Sequence, residues 1–307
     1  MILCAGLTPA WQQILVFDSF RYGEVNRASQ AHWCASGKVF NAGIAAHHLG
    51  GPSRTLAPVG GPPMEQIDRE FGQMRLPVRF VVTRAATRVC TTIIDRATGT
   101  ITELVENGRP LGTAELDEFR QAYAEEAAKA DVAVIIGSLP VGTPASFYRD
   151  LVERTPGAAI LDFRGDGLLS VLDLKPYVVK PNREELGRTV GRPLESDDEL
   201  VAAMRSVNER GAQWVVITQG SEPVWVTSST EVYRLHPPPV DPIVNPIACG
   251  DAMAAAIAWA TRDGREIVDA VRLGVAAAGE NLRQLLPSRL SPARVRERAK
   301  SVRVERL

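Results

Sequence analysis

Asp251 is the residue of this chain best placed to do chemistry. It stands in the turn Asn245-Pro246-Ile247-Ala248-Cys249-Gly250-Asp251, which runs directly into the alanine-rich segment Ala252–Ala256. Free backbone N–H groups at a helix N-terminus, with the positive end of the dipole behind them, hold a phosphate or a developing negative charge when no bulky side chain blocks the approach. Ala248, Cys249 and Gly250 keep that approach open and form a candidate anion hole. The carboxylate has two readings. It caps the helix by satisfying orphan N–H groups, or it is a general base that takes a proton from a hydroxyl attacking phosphorus.

A second turn of small residues, Ser36-Gly37-Lys38-Val39-Phe40-Asn41-Ala42-Gly43, precedes the apolar segment Ile44–Leu49. Gly37 lets backbone approach a ligand, and Asn41 offers both a donor and an acceptor. The same pattern serves an ordinary turn into a helix. It also lacks the two glycines bracketing four residues before Lys-Ser/Thr that a Walker phosphate loop needs.

The elements that must position these turns alternate short β-branched runs with longer helical stretches, the pattern of a sheet covered by helices. Expected core strands are Ile2–Ala5, Val78–Val82, Val132–Ile136, Ala159–Asp162, Tyr177–Val179, Trp214–Thr218 and Val224–Thr227, several of them apolar on both faces as buried parallel strands are. Ser196 with Glu199 reads as a capping box, and Thr113 with Glu115 and Asp117 opens another helix. Two segments break the alternation. Strand-like stretches at Ile14–Phe17, Ala28–Trp33, Val89–Asp95 and Thr100–Leu104 have no long helix between them, and they predict a small β lid from about 11–35 and 86–105. No internal repeat or low-complexity linker interrupts the chain, so a single α/β domain over 1–307 is expected, with Pro237–Pro239 as an extended connection into the Asp251 turn.

Composition bounds the partners. The chain has 307 residues, 45% hydrophobic and 23% charged, with 35 basic and 36 acidic side chains, enough apolar content for a large core and no excess charge for nucleic acid or an anionic membrane. The longest apolar run, Ala252–Ala260, falls far short of the roughly 20 residues a membrane span needs. The N-terminus lacks the layout of a signal peptide, so a cytoplasmic protein is expected. Cysteines 4, 34, 90 and 249 share no close spacing and read as reduced, partly buried thiols. Histidines 32, 47, 48 and 236 show no metal-ligand spacing.

Taken together, the two turns resemble the signatures of the ribokinase-like carbohydrate kinases, the PfkB family, over essentially the whole chain. The family's Gly-Gly-Lys-Gly-x-Asn appears as Ser36-Gly37-Lys38-Val39-Phe40-Asn41, and its Gly-Ala-Gly-Asp as Ala248-Cys249-Gly250-Asp251. Leu7-Thr8-Pro9-Ala10, Gly23-Glu24-Val25-Asn26-Arg27, Thr87-Arg88, Thr102-Glu103-Leu104, Gly137-Ser138-Leu139-Pro140 and Lys180-Pro181-Asn182-Arg183-Glu184-Glu185-Leu186 look like the 1-phosphofructokinase and tagatose-6-phosphate kinase branch. The resemblance implies a three-layer α/β/α sandwich with a central, mostly parallel sheet and a small β-sheet lid. It also implies ATP-dependent phosphorylation of a phosphorylated ketohexose, with ATP and Mg2+ as cofactors.

Carried over residue by residue, Asp251 is the base and Ala248, Cys249 and Gly250 the anion hole. Asn182 and Glu185 organise magnesium and phosphate through water. Gln12, Arg27, Gly37, Lys38, Asn41, Arg88 and Ser138 line the acceptor side, with the two arginines approaching the substrate's phosphate through guanidinium forks. Lys180, Thr218, Gly220 and Ser221 belong to the nucleotide side. For the arginines the alternative is a surface salt bridge, and for Ser138 a tight connection after a strand. An apolar face on an exposed lid makes it the expected surface of a homodimer.

Departures from the family pattern fall at the sites. Gln12 replaces a sugar-binding Asp, Thr8, Cys90 and Val105 replace Asn, Ser36 and Val39 replace glycines, Ala248 replaces the first glycine of the anion hole, and Glu222-Pro223 interrupts the nucleotide loop. Two alternatives stay open beside the phosphosugar kinase. One is a weakened homologue that senses a sugar phosphate or a nucleotide; the other is a kinase for a non-phosphorylated sugar or nucleoside.

Overall fold

In the computed structural model, which describes residues 1–307, the four residues of β1 (Ile2–Ala5) are all buried. Ile2 and Cys4 enter one hydrophobic core while Leu3 and Ala5 enter another, as the two-residue period of a strand requires. A strand apolar on both faces must be covered on both. The chain supplies helices to each side, and the result is three layers.

The remaining strands are β2 (Ala10–Phe17), β3 (Gln30–Ser36), β4 (Ser53–Val59), β5 (Val78–Val82), β6 (Arg88–Asp95), β7 (Thr100–Val105), β8 (Val132–Ile136), β9 (Ala158–Asp162), β10 (Val178–Val179), β11 (Trp214–Ile217), β12 (Val224–Thr227), β13 (Val232–His236) and β14 (Arg303–Arg306). Helices α1 (Lys38–Leu49), α2 (Pro63–Met74), α3 (Thr113–Ala127), α4 (Ser146–Glu153), α5 (Asp166–Leu169), α6 (Arg183–Val190), α7 (Asp197–Glu209), α8 (Cys249–Arg262), α9 (Ile267–Asn281) and α10 (Pro292–Ala299) fill the connections. One core gathers α1, α2, α8, α9 and α10; the other gathers α3 to α7.

The main sheet runs β14-β13-β12-β11-β10-β9-β8-β1-β4-β5, parallel from β5 to β11 and antiparallel from there to β14. β1 lies between β4 and β8, so the winding direction reverses beside it, and ligands of open α/β sheets bind at the carboxyl ends of strands at such a reversal. The lid is a second sheet in the order β3-β2-β6-β7. Its strands coincide closely with the expected stretches, with β2 starting four residues earlier.

Three strands escape the sequence pattern. β4 carries Arg54 and Pro58 within an otherwise buried run, and β13 and β14 mix charged and apolar residues too evenly to read as core. Val78–Val82, expected in the core, is the edge strand β5. It turns Arg79 toward Glu125 and Glu126 of α3 and buries Val81, so a charge guards the open edge. The Ser196 box is formed as expected: Ser196 Oγ accepts from Glu199 N–H at 3.2 Å and Glu199 Oε2 accepts from Ser196 N–H at 3.2 Å.

Candidate active site

Charged and polar groups gather where the central strands end. Gly137 and Ser138 follow β8, Asp162 is the last residue of β9, Lys180 follows β10, and Thr218 follows β11. Lys38 and Asn41 come from the first turns of α1, and Asp251 from the first turn of α8. Parallel strands ending at one rim bring residues from across the chain together there.

At the centre is an ion cluster built on the buried Asp162 and Lys180, with the part-exposed Lys38 joining from the start of α1. Asp162 is 1% exposed and holds both Lys38 Nζ at 3.0 Å and Lys180 Nζ at 2.8 Å. Burial on its own raises the pKa of Asp162; the two ammonium groups outweigh it, and the carboxyl is held below the usual range. Lys38 also lies 3.6 Å from Glu185 Oε1. Burial penalises its charge, yet the carboxylates of Asp162, Asp251 and Glu185 raise its pKa above that of an ordinary lysine. Lys180 Nζ lies 3.5 Å from the position a Cβ on Gly250 would occupy, which sets a buried cation against the mouth of the anion hole.

Asp251 stands across from this cluster. Its side chain is buried, and Oδ2 accepts from Asn41 Nδ2 at 2.9 Å. Asn41 Oδ1 in turn accepts from Ser36 Oγ at 3.1 Å, so the glycine-poor signature turn orients the carboxylate through one amide. Of the two readings of Asp251 the geometry leaves the cap unused: the N-cap is Ala248, and no side chain caps the helix. Burial pushes the pKa of Asp251 up to about 6, with Lys38, Asn41 and Lys180 pulling it down and Asp162 pushing it up. The first-turn N–H groups of Gly250 and Asp251 have no intrahelical acceptor. Cys249, whose thiol burial pushes up to about 11, is a neutral neighbour rather than a nucleophile.

The turn is strained. Ala248 adopts φ 69, the left-handed region that the family's glycine occupies freely and a Cβ does not. Gly37, at φ 80, has no such freedom to change, because a Cβ there would meet Thr8 O at 2.8 Å and Ala10 N at 2.9 Å.

Asn182 and Glu185 are brought together by a capping box at the start of α6, with Asn182 Oδ1 accepting from Glu185 N–H at 2.8 Å and Glu185 Oε2 accepting from Asn182 N–H at 3.0 Å. That reciprocal cap was not read from the sequence, although Asn-x-x-Glu has the right spacing. Glu185 Oε1 remains free of the cap and faces Lys38 and Arg164, at 3.6 and 3.5 Å. Thr218 bridges Asn182 across the sheet rim, and Gly220 at φ 65 and the exposed Ser221 form the turn between β11 and β12.

Among the residues expected on the acceptor side, Ser138 Oγ lies 3.5 Å from Thr8 Oγ1, with Gly137 beside them and against the Lys38 stem. Gln12 is 2% exposed and donates to Thr92 Oγ1 at 2.7 Å, within the lid sheet. Register puts Cys34, Gln12, Cys90 and Val105 in one row across the four lid strands. Arg88 spends its guanidinium on the carbonyls of Pro9, Glu106 and Thr8, at 3.3, 3.0 and 3.1 Å, and so ties the lid to the turn after β1. Arg27 is exposed on the β2–β3 connection and makes no ion pair. Neither arginine forms the surface salt bridge that was the alternative.

Asp162 is the residue that sequence reading missed. A lone acid at the end of an apolar strand looks like a strand terminator, and only the parallel strand's carboxyl end marks it as facing a site.

Comparison with known proteins places these features in a lineage. The model of the pfkB family of carbohydrate kinases matches residues 1–294. A tagatose-6-phosphate kinase of Staphylococcus epidermidis is 30% identical over 264 residues, 84% of this chain and 84% of the relative. Among solved structures, a possible 1-phosphofructokinase of Thermotoga maritima superposes with a TM-score of 0.88 at 23% identity, covering 100% of this chain and 99% of its own. Phosphofructokinase-2 of Escherichia coli in complex with fructose-6-phosphate gives a TM-score of 0.85 at 24% identity, with 98% and 99% covered.

Proposed function

Because the chain belongs to the pfkB family of carbohydrate kinases, we propose that it transfers the γ-phosphoryl group of ATP to a hydroxyl of a phosphorylated ketohexose, of the fructose 1-phosphate, fructose 6-phosphate or tagatose 6-phosphate class, with Asp251 as general base. The observation that carries this reading is the pairing of a buried, Asn41-oriented carboxylate with an unobstructed helix N-terminus and two lysines. Asp251 accepts the hydroxyl proton as the oxygen attacks phosphorus, while the Gly250 and Asp251 N–H groups and Lys180 stabilise charge on the transferring group. Asp162 holds Lys38 and Lys180 aimed before phosphate arrives. The lysines exchange one anion for another, and burial costs less than it would for bare ammonium groups.

Magnesium fits the donor set as an outer partner. Mg2+ keeps several waters and takes one or two carboxylates beside substrate phosphates, and Glu185 offers one oxygen outside its capping box, with Asn182 adjacent. When bound there, the ion neutralises charge on the transferring phosphates.

A second reading, a neutral sugar or nucleoside acceptor, is favoured by one observation: three of the five N–H donors of Arg88, one on each nitrogen, are engaged by carbonyls. Self-association through the lid is supported by its outer face, where Trp11 and Trp33 stack at 6.0 Å and Trp33 and Leu104 remain exposed. Sedimentation across a concentration range tests that, and a single monomeric species throughout rejects it.

The deciding experiment follows ADP formation with MgATP over the three phosphosugars, free hexoses and nucleosides, for the wild type and Asp251→Asn. Turnover on a phosphosugar that falls about 100- to 10,000-fold in the variant is expected from loss of a positioned base. Turnover only on neutral acceptors selects the second reading. Ligand binding without any turnover turns the protein into a sensor.

A further inference from the structure

Something must fix the strained turn at Ala248, since a residue with a Cβ is disfavoured in the left-handed region. Two buried asparagines do so. Asn245, 1% exposed, accepts from Ile247 N–H with Oδ1 at 3.1 Å and donates through Nδ2 to Leu285 O at 2.9 Å. Asn281, fully buried at the end of α9, donates through Nδ2 to Ile247 O at 2.7 Å, lies 3.4 Å from Cys249 Sγ, and accepts from Ser288 N–H at 2.7 Å. Each amide grips the anion-hole turn with one end and segment 282–289 with the other.

That segment reaches the lid by two routes. Leu285 and Leu286 pack on the lid cluster of Ile14, Val16, Cys34 and Ile94. Arg289 pairs with Glu70 of α2, whose other carboxylate oxygen accepts from Ala35 N–H of β3 at 2.5 Å. Ser288 is itself held at φ 67, so this segment is also fixed in a shape that local preference does not supply.

We propose that Asn245 and Asn281 are positioning residues of the anion hole, and that segment 282–289 makes the hole answer to the position of the lid. Neither asparagine touches reacting atoms; both act through the Ile247–Cys249 backbone. A lid displacement must carry Leu285 and Leu286 with it, shifting the carbonyl of Leu285 and the amide of Ser288 on which the clamps depend. Anion holes are sensitive to such shifts because donors work only when aimed at the place where charge develops. The kinetic consequence rests on the kinase reading; the mechanical link does not.

Hydrogen–deuterium exchange on the full chain without ligand tests the link. Truncating its lid end in Leu285→Ala/Leu286→Ala is expected to speed exchange at residues 247–250 about tenfold or more, as local opening free energies fall. Val201→Ala on α7 serves as a control for general loss of stability and leaves 247–250 unchanged. Unaltered exchange there in the double variant overturns the proposal. In turnover assays, Asn281→Ala is expected to lower kcat about tenfold or more with KM for the acceptor within twofold, since the hole acts in the transition state. A raised KM with unchanged kcat overturns the positioning role. If Asn281→Ala does not fold, the double variant is assayed for the same split. Absence of turnover in the wild type rejects the kinase reading alone, and the exchange result then decides the link.

Discussion

The rim of the main sheet and the lid solve the placement of polar groups in opposite ways. At the rim, Asp162, Lys38, Lys180 and Asp251 come from four distant elements and compensate one another's charge in a buried cluster. In the lid, Gln12, Cys34, Cys90 and Val105 lie in one row of a single sheet, and the one strong polar contact, Gln12 to Thr92, stays inside it. The rim keeps the charged side chains of the family pattern, while three of the four residues in the lid row are uncharged and small or apolar. On the proposed function, the contrast puts the transfer chemistry in a network whose members depend on one another, and the acceptor specificity in a lid face whose residues can change one by one.

Breaking the network gives the largest effect. Asp162→Asn leaves the buried Lys180 ammonium without its partner, and the part-exposed Lys38 with only Glu185 at 3.6 Å, and is expected to destabilise the fold by about 3 kcal/mol, read as a lowered midpoint in urea unfolding. A loss below about 1 kcal/mol would show that the lysines find other partners. Next comes the base. On the proposed reading Asp251 must be ionised to accept a proton, so activity is expected to fall with unit slope as pH drops below about 6. Lys38→Met removes the strongest influence holding that pKa down and moves the acid limb to higher pH; Asn41→Ala moves it the same way by less. A limb that stays in place in Lys38→Met would detach it from Asp251.

Smaller effects belong to the lid and to strain. On the proposed reading, in which Gln12 faces the acceptor, Gln12→Ala is expected to raise KM for the acceptor about tenfold with kcat nearly unchanged, because such a side chain contributes binding shared by ground and transition states. An equal loss in kcat would place Gln12 in the chemistry and erase the contrast. Ala248→Gly relieves the left-handed turn at some cost in unfolded-state entropy, and it is expected to stabilise by about 0.5–1 kcal/mol in thermal or urea unfolding. A destabilised variant would mean that the Cβ makes a contact worth more than the strain.

How much of this could be read beforehand follows the same division. The lid strands, the capping box at Ser196 and the helix opening at Asp251 are local patterns with fixed spacing, and they were legible. Asp162 was not, because its meaning depends on Lys38 and Lys180, residues 124 positions before it and in the next parallel strand's end. Asn281 was hidden in the same way: a polar residue at the end of an alanine-rich helix carries no motif, and its role appears only when segment 282–289 folds back on the Ile247 turn. β4 escaped through Pro58, which a strand between two partners rarely carries.

Exposure separates the two kinds of cation by their response to ionic strength. The Lys180–Asp162 pair is buried and little reached by counterions, so the hold on phosphate proposed for it is expected to change weakly with salt. Arg27 extends into solvent without an ion pair, and any attraction it exerts on an anionic acceptor fades over a Debye length of about 8 Å at physiological ionic strength. On the proposed reading the rim cluster is thus the salt-resistant contributor to recognition of an anionic acceptor and Arg27 the salt-sensitive one, so raising ionic strength is expected to remove the second and leave the first.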